Sequence, residues 1–343
     1  MDYPDHIGLW QKELASWVPD LLFDAHVHLG PDNILKTALS PERTKLALST
    51  FTHFTYNAYL ECFQKLFSGR KLAGMFAFPF PLREIRYAPA NQYIIKLMQT
   101  NPAVKGFVWF DPKRPEALPQ QLQKAEKNGV RFIGVKPYFD TLGKNNFDAT
   151  MPELLPLKSL RLINDNRLLL MLHTTGRGIG EEKTRDFIRM ISDRFANIQI
   201  ILAHAGRFVN PQEFDGFMNS DLPERENLFL DISSVAVEQV LLSLLRMEKL
   251  RARILFASDL PFGLITGVEH WSETGGALFR TRDQYSWSEA GLCGHRNLTW
   301  NVYHVVRALK NAMAKLDIDD SDKELLKLAL FAGNAQKLFE ATQ

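Results

Sequence analysis

Five short apolar stretches of the chain carry, as their last or next-to-last residue, a side chain that could bind a metal ion or move a proton. These residues are His28, Lys136, His173, His204 and Asp259. In a barrel of parallel strands, the carboxyl ends of all strands lie at one rim, and catalytic groups gather there. Histidines scattered over a surface would not fall at strand ends so regularly, so the pattern indicates one shared site.

His26 and His28 are separated by one residue within the first of these stretches. Residues two apart on a strand point to the same face, so both imidazoles are predicted to face the barrel interior, with Asp24 one step deeper on that face. Two neutral imidazoles on one face form half of a site for zinc or a similar ion. The alternative is a pair of core histidines bonded to neighbouring backbone, and the spacing alone does not separate the two interpretations.

His173, His204 and Asp259 each end an almost wholly apolar stretch. A buried imidazole needs a partner for each ring nitrogen, and a carbonyl or a water is the ordinary one. A carboxylate at the end of a core strand needs a cation, a donor network or a metal. Capping of a following helix is the alternative for Asp259, but the sequence Pro-Phe-Gly at 261–263 is typical of a loop.

Lys136 permits two interpretations. Either its stem lies along apolar surface while its ammonium pairs with Asp259, or it is carbamylated and its new anionic oxygens bridge two metal ions. We therefore expect one divalent ion, or two if Lys136 is carbamylated. Zinc is the expected metal and manganese the alternative.

Four further side chains near the strand ends are candidates for substrate binding. Arg177 and Arg207 follow the strand-end histidines, and a guanidinium binds pairs of carboxylate or phosphate oxygens. The alternative for each is a solvated loop cation. Trp109 and Tyr138 are expected near the ends of the third and fourth strands, where they would line the pocket or cap the core.

Eight apolar runs are predicted to be the strands that position these side chains. They cover residues 21–28, 72–80, 104–110, 130–137, 167–173, 197–204, 227–232 and 253–259. Helices are expected between most of them, at 91–100, 115–128, 151–166, 181–196 and 235–250, and again outside the barrel at 297–315 and 322–340. Such short and continuous runs suit strands that are buried on both faces of a parallel sheet.

Strand–helix alternation repeated eight times indicates a closed barrel or an open doubly wound sheet. The first strand is not followed by G-x-G-x-x-G, so a dinucleotide-binding open sheet loses its main support. The predicted fold class is α/β, a (β/α)8 TIM barrel with additional C-terminal helices. The long segments 29–70 and 263–296 would emerge on the catalytic side as lids, pocket walls or an oligomer interface.

The composition is typical of a soluble globular protein. The 343 residues are 45% hydrophobic and 23% charged with a formal net charge of +2, and nothing marks a domain boundary, so one domain over 1–343 is predicted. Because the chain has no long basic block, neither nucleic acid nor an anionic membrane is expected as a partner. A small-molecule substrate is the expected partner, and a homo-oligomer is compatible with the sequence. Two cysteines, Cys62 and Cys293, are too sparse for a disulfide framework and predict buried free thiols. Without a signal peptide or a membrane-length apolar run, a cytoplasmic location is expected.

Together these residues resemble the amidohydrolase superfamily, and especially its branch called amidohydrolase family 2. The sequence Asp-Ala-His-Val-His at 24–28 is similar to the strand-1 motif of that branch. His173 matches the strand-5 ligand, His204 the strand-6 histidine and Asp259 the strand-8 aspartate. The sequence at 330–339 is similar to the closing helix, so the resemblance extends over nearly the whole chain.

The resemblance implies a set of roles. His26, His28, His173 and Asp259 would bind one ion. His204 would support these ligands, act as a catalytic acid or base, or bind a second ion. Lys136 occupies the strand-4 place at which binuclear members carry a modified lysine.

The same branch contains metal-dependent hydrolases and non-oxidative decarboxylases of aromatic or dienoic acids. Hydrolysis of a small ester, lactone or amide is the leading hypothesis: a metal lowers the pKa of water from about 15.7 to near 7, Asp259 would take the proton and His204 would donate to the oxyanion. The alternative is a metal-dependent decarboxylase, a lyase, in which a nearby acid protonates the carbon that loses CO2. A metal-free lactonase and a non-catalytic binding barrel are further alternatives.

Overall fold

Eight parallel strands form one sheet in the order of the sequence. The structure is a computed structural model that describes residues 6–44, 53–208, 210–272, 276–283, 285, 288–290 and 299–342. The strands are β1 Leu21–His28, β2 Lys71–Phe78, β3 Val104–Phe110, β4 Gly134–Pro137, β5 Leu169–Leu172, β6 Ile200–Leu202, β7 Leu228–Asp231 and β8 Ile254–Leu255. The amide of Ala25 donates to the carbonyl of Phe256 and that of His28 to the carbonyl of Leu260, which brings the last strand against the first. The predicted TIM barrel is confirmed.

Helices connect the strands and follow the last one. Before and within the barrel they are α1 His6–Leu9, α2 Pro41–Thr44, α3 Tyr56–Leu66, α4 Tyr87–Thr100, α5 Ala117–Lys127, α6 Met151–Leu154, α7 Leu157–Asp165, α8 Glu182–Arg194, α9 Pro211–Met218, α10 Glu238–Arg246 and α11 Glu248–Arg251. After the barrel they are α12 Asn301–Ala314, α13 Asp320–Leu328 and α14 Asn334–Glu340. Among the described residues, no helix is both long and apolar enough to cross a lipid bilayer.

Strands β1 and β3 have the predicted bounds, whereas the paired parts of the later strands are shorter than predicted. β8 was expected over 253–259 but pairs with β7 only through Ile254 and Leu255. The apolar run is longer because Phe256 and Ala257 remain fully buried after pairing ends. Burial and strand pairing are separate properties, and an apolar run reports burial.

One predicted helix, 151–166, is broken into α6 and α7. Pro156 lies between them and has an extended backbone (ψ 150°). Proline has no amide hydrogen to donate and disfavours helical backbone at the residue before it. The capping box of α6, in which the Thr150 side chain and Glu153 exchange hydrogen bonds, fixes the start of the first piece.

The barrel interior is filled by a separate cluster of apolar side chains. It consists of Phe23, Ala25, Phe76, Phe78, Phe107, Ile133, Leu169, Met171, Ile201, Ala203, Leu255 and Ala257, joined by Ala332, Ala335 and Leu338 from the C-terminal helices. The Asn334 side chain donates to the carbonyls of Arg251 and Ile254, at the start of β8. The last helix, which was expected to pack outside the barrel, therefore covers its amino-terminal end, opposite the rim that carries the candidate site.

The segment after β8, expected to be a long loop, contains a small sheet. Its strands are β9 Gly267–Ser272, β10 Gly276–Thr281 and β11 Ser288–Ala290. Residues 291–298, with Cys293 among them, lie outside the described residues, as do residues 45–52 of the other long segment. Cys62 is a free thiol, as predicted, but it is only partly buried.

Candidate metal centre

Three side chains from the two ends of the sheet converge at the carboxyl rim of the barrel. The Nε2 atoms of His26 and His28 are 3.2 Å apart. Oδ1 of Asp259 lies 3.3 Å from the first and 3.4 Å from the second. All three residues are buried, and they are the group of described His, Cys, Asp and Glu side chains whose ligand atoms lie close enough to share one ion.

The hydrogen bonds of the two imidazoles show which ring nitrogen of each points a lone pair towards the centre. His26 Nδ1 lies 2.6 Å from Oδ2 of Asp231, and His28 Nδ1 lies 3.3 Å from the carbonyl of Pro79. Both partners accept hydrogen bonds, so each Nδ1 carries the hydrogen. Burial holds the pKa of both histidines well below the usual value, so both rings are neutral and both Nε2 atoms are lone-pair donors to a metal.

The centre therefore brings three lone-pair atoms together, namely the two Nε2 atoms and Oδ1 of Asp259. Neither nitrogen carries a hydrogen that it could donate to the carboxylate. Oδ1 of Asp259 is buried and has no hydrogen-bond donor among the described residues. An unpaired buried acceptor is costly, whereas a cation between the three atoms would satisfy all of them. Metal–ligand bonds of roughly 2.0–2.1 Å to a tetrahedral ion give ligand–ligand distances of about 3.3–3.4 Å, which is the spacing found. The residues present fit a divalent ion.

Asp259 reaches the centre because the chain leaves extended conformation there. Its φ is 54°, in the left-handed region that Asp tolerates better than most residues. Its side chain contacts Ser234 Oγ at 3.4 Å, whereas the 3-10 turn Phe262–Leu264 has Pro261 at its start and no side-chain cap. The helix-capping alternative for Asp259 finds no support in these contacts.

His204 lies beside the centre and is held by β7. It also has left-handed backbone (φ 55°), and its ring centroid is 5.1 Å from that of His26. Its Nδ1 lies 2.9 Å from Ser233 Oγ and 3.1 Å from the Ser233 carbonyl. Because the carbonyl only accepts, Nδ1 carries the hydrogen and Nε2 is left available.

Asp231 and Ser233, which the sequence analysis did not select, connect these histidines. Asp231 is fully buried at the end of β7 and accepts hydrogen bonds from His26 and from both the amide (2.8 Å) and the hydroxyl of Ser233. A carboxylate behind a metal-binding imidazole fixes its tautomer and orientation. A signal was present, since Asp231 lies one residue before the end of the predicted run 227–232, as Lys136 does in the run 130–137.

His173 stands one ring further from the three converging atoms. Its ring centroid is 5.4 Å from that of His204, and its Nδ1 donates to the carbonyl of Thr174 at 3.1 Å. Burial lowers the pKa of His173, and the positive charge of Arg207 lowers it further. His173 is thus neutral and adjacent to the centre, and its place as a fourth ligand stays a prediction.

Lys136 is fully buried and its Nζ has no hydrogen-bond partner among the described residues. The ammonium group lies 5.0 Å from the ring centroid of Phe78 and 5.1 Å from that of Tyr138. Burial lowers the pKa of Lys136 to about 7, although Asp231 and Asp259 act against this effect. The ion pair with Asp259 that one interpretation expected is not formed within 4.0 Å in the described structure.

The four candidate substrate-binding residues differ in their surroundings. Tyr138 is buried with its hydroxyl 3.0 Å from His28 Nε2. Trp109 is buried, its Nε1 has no partner among the described residues, and it is the β3 neighbour of Lys136. Arg207 donates to the carbonyl of Thr174, next to His173. Arg177 is exposed and bound to Glu213, so the described contacts do not connect it with the histidines.

Asp24 does not continue the face of the two histidines, contrary to the prediction. One extra residue lies in β1 between Asp24 and Val27, relative to β2. This bulge shifts the alternation of side chains, so Phe23 and Ala25 point into the barrel below the histidines. Asp24 instead points outward and contacts Tyr59 of α3.

Solved structures of similar fold belong to enzymes that catalyse different reactions. The chain is similar to 5-carboxyvanillate decarboxylase from Sphingomonas paucimobilis (13% identity, TM-score 0.56, 94% of this chain and 99% of that chain covered). It is also similar to 2,6-dihydroxybenzoate decarboxylase from Rhizobium (15%, 0.53, 95% and 100%). A third similar structure is 4-oxalomesaconate hydratase from Rhodopseudomonas palustris (13%, 0.50, 93% and 95%). No curated protein sequence matches the chain.

Sequence identities this low establish only that the fold is shared. The family is assigned by comparison with a family model. The model of the amidohydrolase family, in its branch called family 2, matches residues 23–340. This range includes every strand-end residue of the centre. The enzyme family is metal-dependent, in agreement with the buried His26–His28–Asp259 cluster. The chain belongs to the amidohydrolase family.

Proposed function

We propose that this protein is a metal-dependent hydrolase that acts on a small ester, lactone or amide. The observation that supports it most is the arrangement of His26 Nε2, His28 Nε2 and Asp259 Oδ1, which are 3.2–3.4 Å apart with no donor to the carboxylate oxygen. His173 would be the fourth ligand. Zinc is the proposed ion because two or three imidazoles and one carboxylate suit it, and manganese is the alternative.

A divalent ion at this centre would act as a Lewis acid and make water a nucleophile at neutral pH. Asp259 would accept the proton of the attacking water and pass it to the leaving group. Burial raises its pKa from 3.8 to about 6 in the metal-free protein, and a bound cation would favour the ionised carboxylate, the form that accepts a proton. Its second oxygen, Oδ2, contacts only the Ser234 hydroxyl at 3.4 Å among the described residues and is available for this exchange.

His204 would act on the substrate oxygen. Ser233 holds the Nδ1 side of the ring, so the opposite edge, with Nε2, is the one that meets a ligand. A protonated Nε2 would donate to the oxyanion that develops as a carbonyl is attacked. The Ser233–Asp231 hydrogen bonds support that ring from behind.

Trp109, Tyr138 and Arg207 would line the substrate pocket. Among the described residues, the Arg207 guanidinium has only carbonyls as hydrogen-bond partners, and it lies 6.0 Å from the centroid of the Phe147 ring. Burial lowers its pKa to about 10. A half-buried guanidinium without a carboxylate partner suits an anionic group on the substrate. Arg177 would then be a surface residue that pairs with Glu213.

A non-oxidative decarboxylase of a small unsaturated or aromatic acid is the second candidate. It is favoured by two basic side chains, Lys136 and Arg207, neither of which has a carboxylate within ion-pair distance in the described structure. They would hold the carboxylate of an acid, and His204 would supply the proton to the carbon that loses CO2. A carbamylated Lys136 would instead serve a second ion and favour hydrolysis.

Metal content and substrate profile test the proposal together. Protein purified without added metal is measured by plasma mass spectrometry, beside a variant with both His26→Ala and His28→Ala. The loaded protein is then assayed against a panel of lactones, esters and amides, and against aromatic and dienoic acids with detection of CO2. Asp259→Asn serves as the inactive control in both assays.

We expect about one ion per chain, lost in the double variant, and hydrolysis that collapses in Asp259→Asn. About two ions would assign Lys136 and His204 as ligands of the second ion. CO2 release without hydrolysis would replace the hydrolase by the decarboxylase. Absence of any ion after incubation with zinc or manganese would overturn the metal centre and leave a metal-free lactonase or a non-catalytic binding barrel.

A further inference from the structure

The seam between β1 and the segment after β8 is completed by a side chain. The backbone bonds of the seam run from Ala25 N to Phe256 O (3.1 Å) and from His28 N to Leu260 O (2.8 Å). Between them, the amide of Ser258 donates to Oδ1 of Asp24 at 2.9 Å. A carboxylate therefore takes the place of a backbone carbonyl at the level of the seam just below the metal centre.

Asp24 is fully buried and its carboxylate accepts hydrogen bonds from three directions. Oδ1 also accepts from the amide of His26 at 3.3 Å, within the β1 bulge. Oδ2 accepts from Ser258 Oγ at 2.5 Å and from the Tyr59 hydroxyl of α3 at 3.2 Å. All these donors point at a group that ionises, and the bulge is what turns this carboxylate away from the interior and towards the seam.

Two of these bonds lead directly to metal ligands. One fixes the backbone of His26 itself. The other fixes Ser258, whose Oγ also accepts from the amide of Leu260 at 3.1 Å. Ser258 and Leu260 flank Asp259, so the side chain of Ser258 braces the left-handed turn that aims the Asp259 carboxylate inward.

We infer that Asp24 is a positioning residue that sets the distance between His26 Nε2 and Asp259 Oδ1 by tying β1 to the end of β8. This inference rests on the proposed metal centre. Asp24 itself points away from the centre and would bind neither metal nor substrate. Loss of its hydrogen bonds would let the two ligand-bearing strand ends move apart, and the ligands would no longer match the spacing of a single ion.

Zinc affinity of the whole protein, measured by competition with a chromophoric chelator, tests the inference. In Asp24→Ala both acceptor oxygens are lost, so the amides of Ser258 and His26 lose their side-chain partner. We expect zinc to bind about 10- to 100-fold more weakly, the range found when partners behind metal ligands are removed. Tyr59→Phe is the matched control, because it removes one bond to the same carboxylate and leaves the seam intact; its zinc affinity should stay within about threefold of wild type.

Ser258→Ala is the second variant, and it tests the inference if Asp24→Ala fails to fold. It keeps the amide bond to Asp24 and removes the hydroxyl that braces the turn, so we expect about a tenfold loss of zinc affinity. The thermal midpoint of each metal-free variant is measured beside it. A lower midpoint with wild-type zinc affinity would assign Asp24 a purely structural role and overturn the inference. Failure of the wild type to bind zinc would instead overturn the metal centre on which the inference rests.

Discussion

Asp259 combines two features that are unfavourable in a protein without a ligand. Its backbone is left-handed, and its Oδ1 is buried without a donor in the described structure. Unfavourable local features of this kind collect at functional sites, where the surrounding structure enforces them. Here the enforcing contacts are those of Ser258 and of the amide of Gly263, which donates to the Asp259 carbonyl at 3.0 Å.

The raised pKa of Asp259 predicts how stability changes with pH in the metal-free protein. Burial raises that pKa from 3.8 to about 6, so the folded state holds this proton more tightly than the unfolded chain does. The favourable contribution is present below pH 4 and is lost as the pH rises through 6. Relative to Asp259→Asn, the wild type should lose about 2–3 kcal/mol of unfolding free energy between pH 4 and 7, because the shift is worth about 1.36 kcal/mol per pKa unit and part of it is already lost at pH 4.

Urea unfolding of both proteins across this pH range measures the difference. Titrating groups remote from Asp259 are common to both proteins and cancel in the comparison, whereas Lys136, whose pKa the Asp259 carboxylate raises, contributes to the difference near pH 7. Saturating zinc should abolish the loss in the wild type, because a bound cation favours the ionised carboxylate. A difference between the two proteins that is constant from pH 4 to 7 would contradict the assignment.

At the residue scale, the sequence predicted the residues that end strands and missed those that hold them. His26, His28 and Asp259 do converge, since a closed parallel sheet brings strand ends together. Asp231 was missed although it ends β7, because the predicted run continued to Ile232 and placed Asp231 inside the strand. The error at Asp24 has a different cause: one extra residue in a strand reverses the alternation, and no local sequence feature marks it.

At the element scale, the loops that follow β5 and β6 pack against each other through their backbones. The amide of Ile179 donates to the carbonyl of Arg207 at 2.9 Å. Gly178, just before it, has φ +84°, and a Cβ there would lie 2.2 Å from the same carbonyl oxygen. This contact allows no side chain, and it fixes the loop that carries Arg207 beside the loop after His173.

Gly178→Ala is therefore expected to destabilise the protein by several kcal/mol, since it adds a backbone clash to an unfavourable φ. Gly129→Ala is the matched control. Gly129 follows α5 with φ +73°, but a Cβ there would meet no atom within 4 Å, so only about 1 kcal/mol should be lost. Chemical denaturation of both variants measures the difference, and equal losses would show that the contact with Arg207 does not constrain position 178.

A second contact between loops joins the long segment after β1 to the rim. The Arg43 guanidinium of α2 binds the carboxylates of both Glu84 and Asp140, at 2.7 Å and 2.5 Å. The segment also pairs through a bridge between Leu35 and Ile85. Sequence reasoning predicted the position of this segment but could not predict these partners, because they lie 41 and 97 residues away along the chain.

At the scale of the whole molecule, strand order and barrel closure were predictable because periodic apolar runs report burial. The ends of the strands were less predictable, because strand pairing stops before the buried segment ends. Two breaks in helices, at Pro156 and at Met247, depended on local backbone conformation. The small sheet of β9–β11 was missed, because its segment lacks the continuous apolar runs that marked the barrel strands.

Metal removal is expected to lower the thermal midpoint of the whole barrel. A ligand at about 100 times its Kd stabilises the state that binds it by about 2.7 kcal/mol, which corresponds to a shift of a few degrees in a protein of this size. Thermal denaturation with and without a chelator measures the shift. The His26→Ala, His28→Ala variant should show none, and an equal shift in that variant would indicate that the metal acts elsewhere.

The seam between β1 and β8 also determines when the centre can form during folding. The bond between Asp24 and Ser258 spans 234 positions of the chain, so closing it carries the entropy of a very long loop. On the ribosome, the first strand emerges long before the last, and His26 and His28 wait as an incomplete pair until almost the entire barrel has been synthesised. Tight binding of the ion would therefore coincide with barrel closure, and acquisition of the metal would report a completed fold rather than start one.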